Sequence, residues 1–309
     1  MDNYNINGKL IIGIDHGYGN MKTRHTVFKS GVRCFDSEPP VASNVLEYGD
    51  KYYVIGEHHK VFIANKDEDD DYYILTLAAI AKELEFRQVT EADVILAVGL
   101  PLHWMKNQMK GFRDYLKRDE HVTYRFCGKE YRIRIFDVAV FPQGYSGVAA
   151  CLSEYRGVNM LADIGNGTMN TLVITNGRGM SDRMYTDKLG VQQCVTQIYN
   201  EVQVECGKVP DESLIEDFLR CGHTNASDRI HAVMKKEAEK YTQKIFDKLS
   251  EYEYDPELVK LHIIGGGGCL IKNFGTYDHD NVEIITDICA TAKGYEDMYI
   301  SKWRRDKSR

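Results

Sequence analysis

Asp15-His16-Gly17-Tyr18-Gly19-Asn20-Met21-Lys22-Thr23 and Asp163-Ile164-Gly165-Asn166-Gly167-Thr168-Met169-Asn170-Thr171 are one pattern written twice. An Asp, two Gly, a Met and a Thr recur at the same offsets. Each copy follows a short apolar run, Leu10-Ile11-Ile12-Gly13-Ile14 or Met160-Leu161-Ala162, and continues into alternating residues. Two strand–turn–strand units are therefore predicted, each with a carboxylate where its first strand ends.

Glycine reaches positive φ at little cost and lets other groups approach the backbone. Successive N–H groups in such a turn form a concavity that favours anions. A carboxylate beside it would repel a bare phosphate, so the pairing makes sense with a divalent cation between them. Magnesium keeps several waters and is usually held by one or two carboxylates plus substrate phosphates. Two such turns facing each other would clamp a phosphate chain and its metal from both sides. Two ordinary glycine hairpins are the plainer reading, and the five matched positions favour the clamp.

At 309 residues the length suits two domains, each with its own core. The hydrophobic fraction of 43% and charged fraction of 28% are ordinary globular values. A formal charge of −7 gives no pull toward nucleic acid or an anionic membrane. No apolar run approaches the roughly 20 residues that span a bilayer. Met1-Asp2-Asn3-Tyr4-Asn5 has neither the basic nor the apolar segment of a secretory signal. A cytoplasmic protein is expected. Cys34, Cys127, Cys151, Cys194, Cys206, Cys221, Cys269 and Cys289 form no C-x-x-C pair and no zinc spacing. They read as reduced, mostly packed thiols.

Residues 48–56 read as a hairpin turning at Gly49-Asp50, and 66–71 as a solvated acidic loop without EF-hand spacing. Helical periodicity covers 74–86 and 104–117. The nearly all-apolar 94–101 reads as a buried parallel strand. Strands are predicted at 131–135 and 138–142, then a small-residue helix from 144 to 152. Helices follow at 191–204 and 226–249, a strand at 260–264, and a closing helix after Asp287. Strands mixed with helices in two similar halves argue an α/β fold with pseudo-twofold repetition.

Other phosphate binders are excluded. There is no G-x-x-x-x-G-K-[ST] and no kinase His-Arg-Asp, and the first turn leads into strand rather than helix, against a dinucleotide fold. Gly265-Gly266-Gly267-Gly268 follows a strand and precedes Cys269-Leu270-Ile271. Alone it is equally a helix-start turn. Beside two phosphate turns it becomes a candidate for adenine and α-phosphate contact.

The order Gly-Ile-Asp-x-Gly-Tyr-Gly-Asn-x-Lys, Ala-Val-Gly-Leu-Pro-Leu, Phe-Pro-Gln-Gly, Ala-Asp-Ile-Gly-Asn-Gly-Thr, Ile-Ile-Gly-Gly-Gly-Gly resembles the actin–Hsp70–sugar kinase ATPase superfamily. Within it the chain looks most like the bacterial ParM-type plasmid-segregation proteins. The resemblance implies two actin-like, ribonuclease H-like α/β domains with mixed sheets flanking a nucleotide cleft. Domain I would be 1–157, with an inserted subdomain near 35–72 and completed by 287–309; domain II would be 158–286.

It also implies roles. Asp15 and Asp163 would hold Mg2+ through water. Gly17, Tyr18, Gly19 and Asn20 would form the first phosphate loop, with Lys22 reaching the β- and γ-phosphates. Gly165, Asn166, Gly167 and Thr168 would form the second. Gly265, Gly266, Gly267 and Gly268 would meet adenosine. Lys236, Glu237 and Lys240 fall where the family places residues near ribose and adenine; the alternative is a solvated helix face. Gln143 would position the attacking water, orienting it without taking its proton. His16 is expected to point outward, the other reading being contact with phosphate or metal water. His58, His59 and His103 show no ligand spacing, and the tyrosines read as packing. The basic tail 302–309 reads as a frayed solvated end, the alternative being contact with DNA or a neighbouring subunit.

The implied function is a polymerising ATPase whose nucleotide-dependent filaments segregate plasmid DNA, with ATP (or GTP) and Mg2+ as cofactors. Its partners would be further copies of itself and a DNA-binding adaptor, with no direct DNA or membrane contact. A small-molecule kinase of the same superfamily is the alternative, although it would need an acceptor-activating carboxylate where Gln143 stands. A chaperone-like ATPase is disfavoured by the lack of a substrate-binding segment.

Overall fold

The computed structural model describes residues 4–57, 70–101 and 104–308. His58, His59, His103 and the acidic run as far as Asp69 lie outside the described residues. The chain divides into two compact units, residues 1–150 with 289–309, and residues 151–288.

The first unit contains β1 (Asn5–Ile6), β2 (Lys9–His16), β3 (Asn20–Lys22), β4 (Val27–Lys29), β5 (Val32–Phe35), β6 (Val45–Tyr48) and β7 (Lys51–Ile55). Then come α1 (Asp71–Phe86), β8 (Glu91–Leu100), α2 (Met105–Leu116), β9 (His121–Phe126) and β10 (Lys129–Pro142). Its sheet runs β4-β3-β2-β8-β10-β9-β6-β7-β5, with β1 also on β2. Within it β2, β8 and β10 are parallel.

The second unit contains β11 (Val158–Ile164), β12 (Met169–Thr175), β13 (Arg178–Asp187), α3 (Val191–Cys206), α4 (Glu212–Cys221), α5 (Asp228–Glu251), β14 (Lys260–Ile264), α6 (Gly267–Phe274) and β15 (Val282–Ile284). Its sheet runs β13-β12-β11-β14-β15. The last helix, α7 (Ala290–Lys307), belongs to the first unit.

The two sheets share one plan. In each, a three-strand antiparallel meander (β2-β3-β4 or β11-β12-β13) lies beside parallel strands added later in the chain (β8 and β10, or β14 and β15). The repeat in sequence is therefore a repeat in topology, and both copies of the turn join the first two strands of the meander.

Strand alternation explains the burial. Ile12 and Ile14 of β2 face the core formed with α1, whereas Ile11 packs with Tyr295 and Ile300 of α7 on the other face. Helix α1 is apolar nearly all round and correspondingly buried from Tyr72 to Ala81. In the second unit Met160, Ala162 and Ile164 pack against α3, α5 and α6.

Several expectations need correcting. Strands 131–135 and 138–142 are one strand, β10, bent by a bulge at Phe136, where the register against β8 shifts. The small-residue helix predicted at 144–152 is instead two short 3-10 turns, Tyr145–Val148 and Leu152–Glu154. Glycines at 144 and 147 and no apolar stripe leave too little to sustain an α-helix. Helix α4 was not anticipated. The cysteines form no disulfide, but only Cys194 and Cys289 are buried. Cys34, Cys127, Cys151 and Cys221 are exposed, on an edge strand, in turns and at a helix end where no second layer covers them. Burial pushes the Cys194 thiol up to about 12. Among the described residues no helix is long and apolar enough to cross a membrane.

Candidate functional site

The first turn joins β2 to β3 with Asp15 opposite Lys22 and His16 opposite Met21. That register brings Lys22 Nζ to 3.1 Å from Asp15 Oδ2. The other carboxylate oxygen, Oδ1, accepts from Gln143 Nε2 at 3.1 Å. Gln143 lies 128 residues away in sequence, but parallel pairing places the carboxyl ends of β2, β8 and β10 side by side. The Gln143 N–H donates to Leu100 O at 2.8 Å, carrying the chain over the end of β8. Open α/β sheets bind ligands at this edge. A carboxylate can only accept, so the Gln143 amide nitrogen must face Asp15 and its Oε1 faces away.

The turn itself is pinned by the residue that follows β4: Ser30 N donates to Gly19 O at 3.1 Å, and Ser30 Oγ to Tyr18 O. An added Cβ on Gly17 would lie 2.5 Å from Asn20 O, so the turn closes tightly at that point. Burial raises the pKa of the Tyr18 hydroxyl.

His16 does not point outward. It is buried, with Nε2 2.8 Å from Thr76 Oγ1 of α1 and its ring edge-on to Tyr72 and Phe112. The alternation that buries Ile12 and Ile14 carries His16 to the same face, and the second copy has Ile164 there.

The second turn has the same register, Asp163 opposite Asn170 and Ile164 opposite Met169. Its closure is a backbone bond from Gly165 N to Thr168 O of 2.8 Å. The carbonyls of Gly165 and Asn166 accept the first N–H groups of α3, from Val191 at 3.0 Å and Gln192 at 2.8 Å. Among the described residues, the N–H groups of Asn166, Gly167 and Thr168 donate to no other backbone group.

Gly265 follows β14, which pairs in parallel with β11 and so ends beside Asp163. Its φ is +87°, and an added Cβ would lie 2.6 Å from Ile164 O and 2.7 Å from Asp163 Oδ1. Gly267 opens α6 against Ile164. Gly167 and Gly266 differ: neither has positive φ, and an added Cβ would meet nothing within 4 Å. The fold's own packing does not require glycine at these two positions, and the space over their backbone suits an approaching ligand. Taken unit by unit, the first turn offers a carboxylate and a cation, and the second a carboxylate beside turn N–H groups without a backbone partner among the described residues; each set suits phosphate oxygens or a magnesium-bound water.

Lys236 and Glu237 are tied to α3, and Lys240 to Glu237. Lys236 Nζ lies 3.1 Å from Glu205 Oε1, while Glu237 accepts from Gln197 at 2.9 Å and Lys240 at 2.5 Å. Burial opposes ionisation of Glu237, but the hydrogen bonds from Lys240 and Gln197 hold its carboxyl below the usual range.

Sequence reading missed several supports. Gly190 precedes α3, and an added Cβ there would lie 2.3 Å from Asn166 O. Arg24, two residues past the end of β3, pairs with buried Glu296 of α7. Glu83 of α1 accepts from the Thr23 hydroxyl at 2.5 Å and the His25 N–H at 2.9 Å. The signal for Gly190 was its place, a glycine at the start of a predicted helix; none marked the two glutamates.

Residues 13–145 match the family model described as actin-like proteins, N-terminal domain. No curated protein sequence matches the chain. Among solved structures, the archaeal actin homologue Ta0583 superposes with a TM-score of 0.74 at 17% identity, covering 94% of this chain and 98% of its own. Bacillus thuringiensis ParM with ATP gives 0.69 at 13%, covering 98% and 100%. The Alp12 filament structure gives 0.68 at 16%, covering 96% and 99%. Ta0583 has also been solved in complex with ADP. The chain therefore has the actin-like fold, a mixed α/β structure with two mixed sheets, and is similar to ParM and archaeal actin homologues throughout its length.

Proposed function

We propose, from this fold and the actin-like N-terminal segment, that the chain is a cytoplasmic Mg-ATP hydrolase that assembles into filaments and segregates plasmid DNA through an adaptor. The observation that carries the nucleotide reading is the convergence of Asp15, Lys22 and Gln143 at one strand edge. Bound magnesium would supply charge neutralisation at the β- and γ-phosphates. Asp15 and Asp163 would hold its waters. Lys22 exchanges its carboxylate partner for phosphate oxygen, a charge-assisted contact. The N–H groups of residues 166–168 would donate to the phosphate oxygens from the second turn. Gln143 keeps its amide on Asp15 and turns Oε1 to an attacking water, which it orients but cannot deprotonate. Hydrolysis is accordingly slow and serves as a timer.

The filament reading is supported by the Alp12 and ParM likeness. A head-to-tail contact that does not close yields an open polymer.

Mg-ATP at a hundred times its Kd should stabilise the fold by about 2.7 kcal/mol. Light scattering should rise on Mg-ATP addition and decay as phosphate is released. Gln143→Ala should keep nucleotide affinity while phosphate release falls roughly a hundredfold, on the scale of losing one preorganised transition-state contact. A melting temperature indifferent to both Mg-ATP and Mg-ADP would overturn the nucleotide reading. A particle that binds nucleotide but never scatters would overturn the filament alone.

A further inference from the structure

We infer that the C-terminal helix α7 is a spacer that sets Gln143 against Asp15, with Gly294, Ser146 and Glu296 as positioning residues. The inference rests on the nucleotide reading of that pair. Asp15 ends β2 and Gln143 follows β10, and β8 separates the two strands. The pairing of both strands with β8, the Gln143 N–H bond to Leu100 O and one side-chain bond set the register, and α7 is the element packed across all three strands.

At β2, Glu296 Oε1 accepts from Gly13 N at 2.8 Å, two residues before Asp15. Gly13 sits between the stretches of β2 paired with β1 and with β3, so the carboxylate fills a gap in the ladder. An added Cβ on Gly13 would be 2.0 Å from Ala292 O. At β8, an added Cβ on Gly99 would be 1.8 Å from the Tyr295 hydroxyl. Beyond β10 the helix backbone is itself bare: an added Cβ on Gly294 would be 1.8 Å from Ser146 O and 3.2 Å from Gly147 N.

Ser146 transmits that contact. It is buried, and its Oγ donates to Pro142 O at 2.7 Å while lying 3.2 Å from Met298 Sδ of α7. Pro142 and Ser146 bracket Gln143 in a turn closed by Tyr145 N to Gln143 O at 2.9 Å, with Gly144 at φ +77°. Two turns of one helix thus touch backbone within three residues of each member of the pair. Close-packed contacts of this kind transmit displacement rather than absorbing it.

The test is Gly294→Ala in the full chain, with nucleotide affinity and single-turnover phosphate release measured separately. Affinity should stay within about twofold while release falls roughly ten- to a hundredfold, the scale of a misplacement near 1 Å. Ser146→Ala removes the link without adding bulk and should slow release about three- to tenfold, again at unchanged affinity. Ile300→Ala, elsewhere on α7, should lower the melting temperature without changing release per bound nucleotide. Should Gly294→Ala fail to fold, Ser146→Ala decides. Wild-type release in the variants would overturn the inference and leave the nucleotide reading standing. So would loss of affinity and release together, in step with Ile300→Ala. A wild-type chain that binds no nucleotide would overturn both.

Discussion

In the first turn Asp15 faces Lys22 across the ladder; in the second, at the same register, Asp163 faces Asn170. The backbone scaffold is duplicated, but the chemistry placed on it is not. Around Asp15 the neighbours are side chains: the Lys22 ammonium, the Gln143 amide, and beyond them the Arg24–Glu296 pair. At the second turn the close approaches are by glycine backbone: Gly265 and Gly267 lie against the Ile164 end of β11, and Gly190 against Asn166. Asn170 is turned to Thr186, whose hydroxyl donates to it at 2.9 Å. One turn is thus equipped with charged side chains and the other with half-buried peptide groups.

The largest effect that tests this contrast lies at the glycines after β14, beside the second turn. Gly265→Ala must hold a left-handed residue, costing about 1–2 kcal/mol, and drive its Cβ against the Ile164 carbonyl; a total near 3 kcal/mol is expected. Gly266→Ala meets no atom and needs no unusual φ, so its stability should stay within about 0.5 kcal/mol of wild type. Its cost should appear as a smaller shift on adding Mg-ATP. Urea midpoints with and without nucleotide measure both. Equal destabilisation by the two substitutions would erase the distinction between crowded and open glycines.

A smaller effect tests the charge. Lys22→Asn gives the first turn the side chain of the second. Triphosphate affinity should weaken about ten- to a hundredfold, the worth of a charge-assisted hydrogen bond of roughly 1.5–3 kcal/mol. Unliganded stability should fall by about 1–3 kcal/mol, because Asp15 is buried and would lose its cation. Monophosphate affinity should be unaffected, since Lys22 is assigned to the outer phosphates. Equal losses for monophosphate and triphosphate would move Lys22 away from that role.

How far these features could be read from sequence follows from their range. The turns were legible because each is local: an apolar run, an Asp and two glycines within nine residues. His16 was legible in principle, since period-two alternation assigns it to the face of Ile12 and Ile14, and the second copy carries Ile164 at that place. The meeting of Gln143 with Asp15 was not, because it depends on β8 lying between β2 and β10. Glu296 was illegible for a different reason. On a helix whose neighbours include Lys293 and Asp297, an acid reads as solvated, and only the gap in the β2 ladder gives it a buried partner. The bulge at Phe136 likewise has no local signature; without it β10 looks like two strands.

The smallest effect sets Glu296 of the first unit against Glu237 of the second. Burial pushes the Glu296 carboxyl up, and the Gly13 N–H and Arg24 offset this only in part. Glu237 is also buried, yet Lys240 and Gln197 bring its carboxyl down. The linkage has opposite signs. A raised folded pKa contributes stability that is complete below the unfolded value and lost as pH rises through the folded one. A lowered folded pKa contributes stability present above the unfolded value and lost as pH falls through the folded one. Each tenfold by which the fold prefers one protonation state is worth about 1.4 kcal/mol. The stability of wild type relative to Glu296→Gln should therefore decline as pH rises from the ordinary carboxylate range upward. Relative to Glu237→Gln it should decline as pH falls below that range. Denaturant midpoints of the three proteins across the acid range give both slopes. Parallel slopes would mean that the two buried carboxylates share one electrostatic environment, and the divergence between the halves would then stop at the turns.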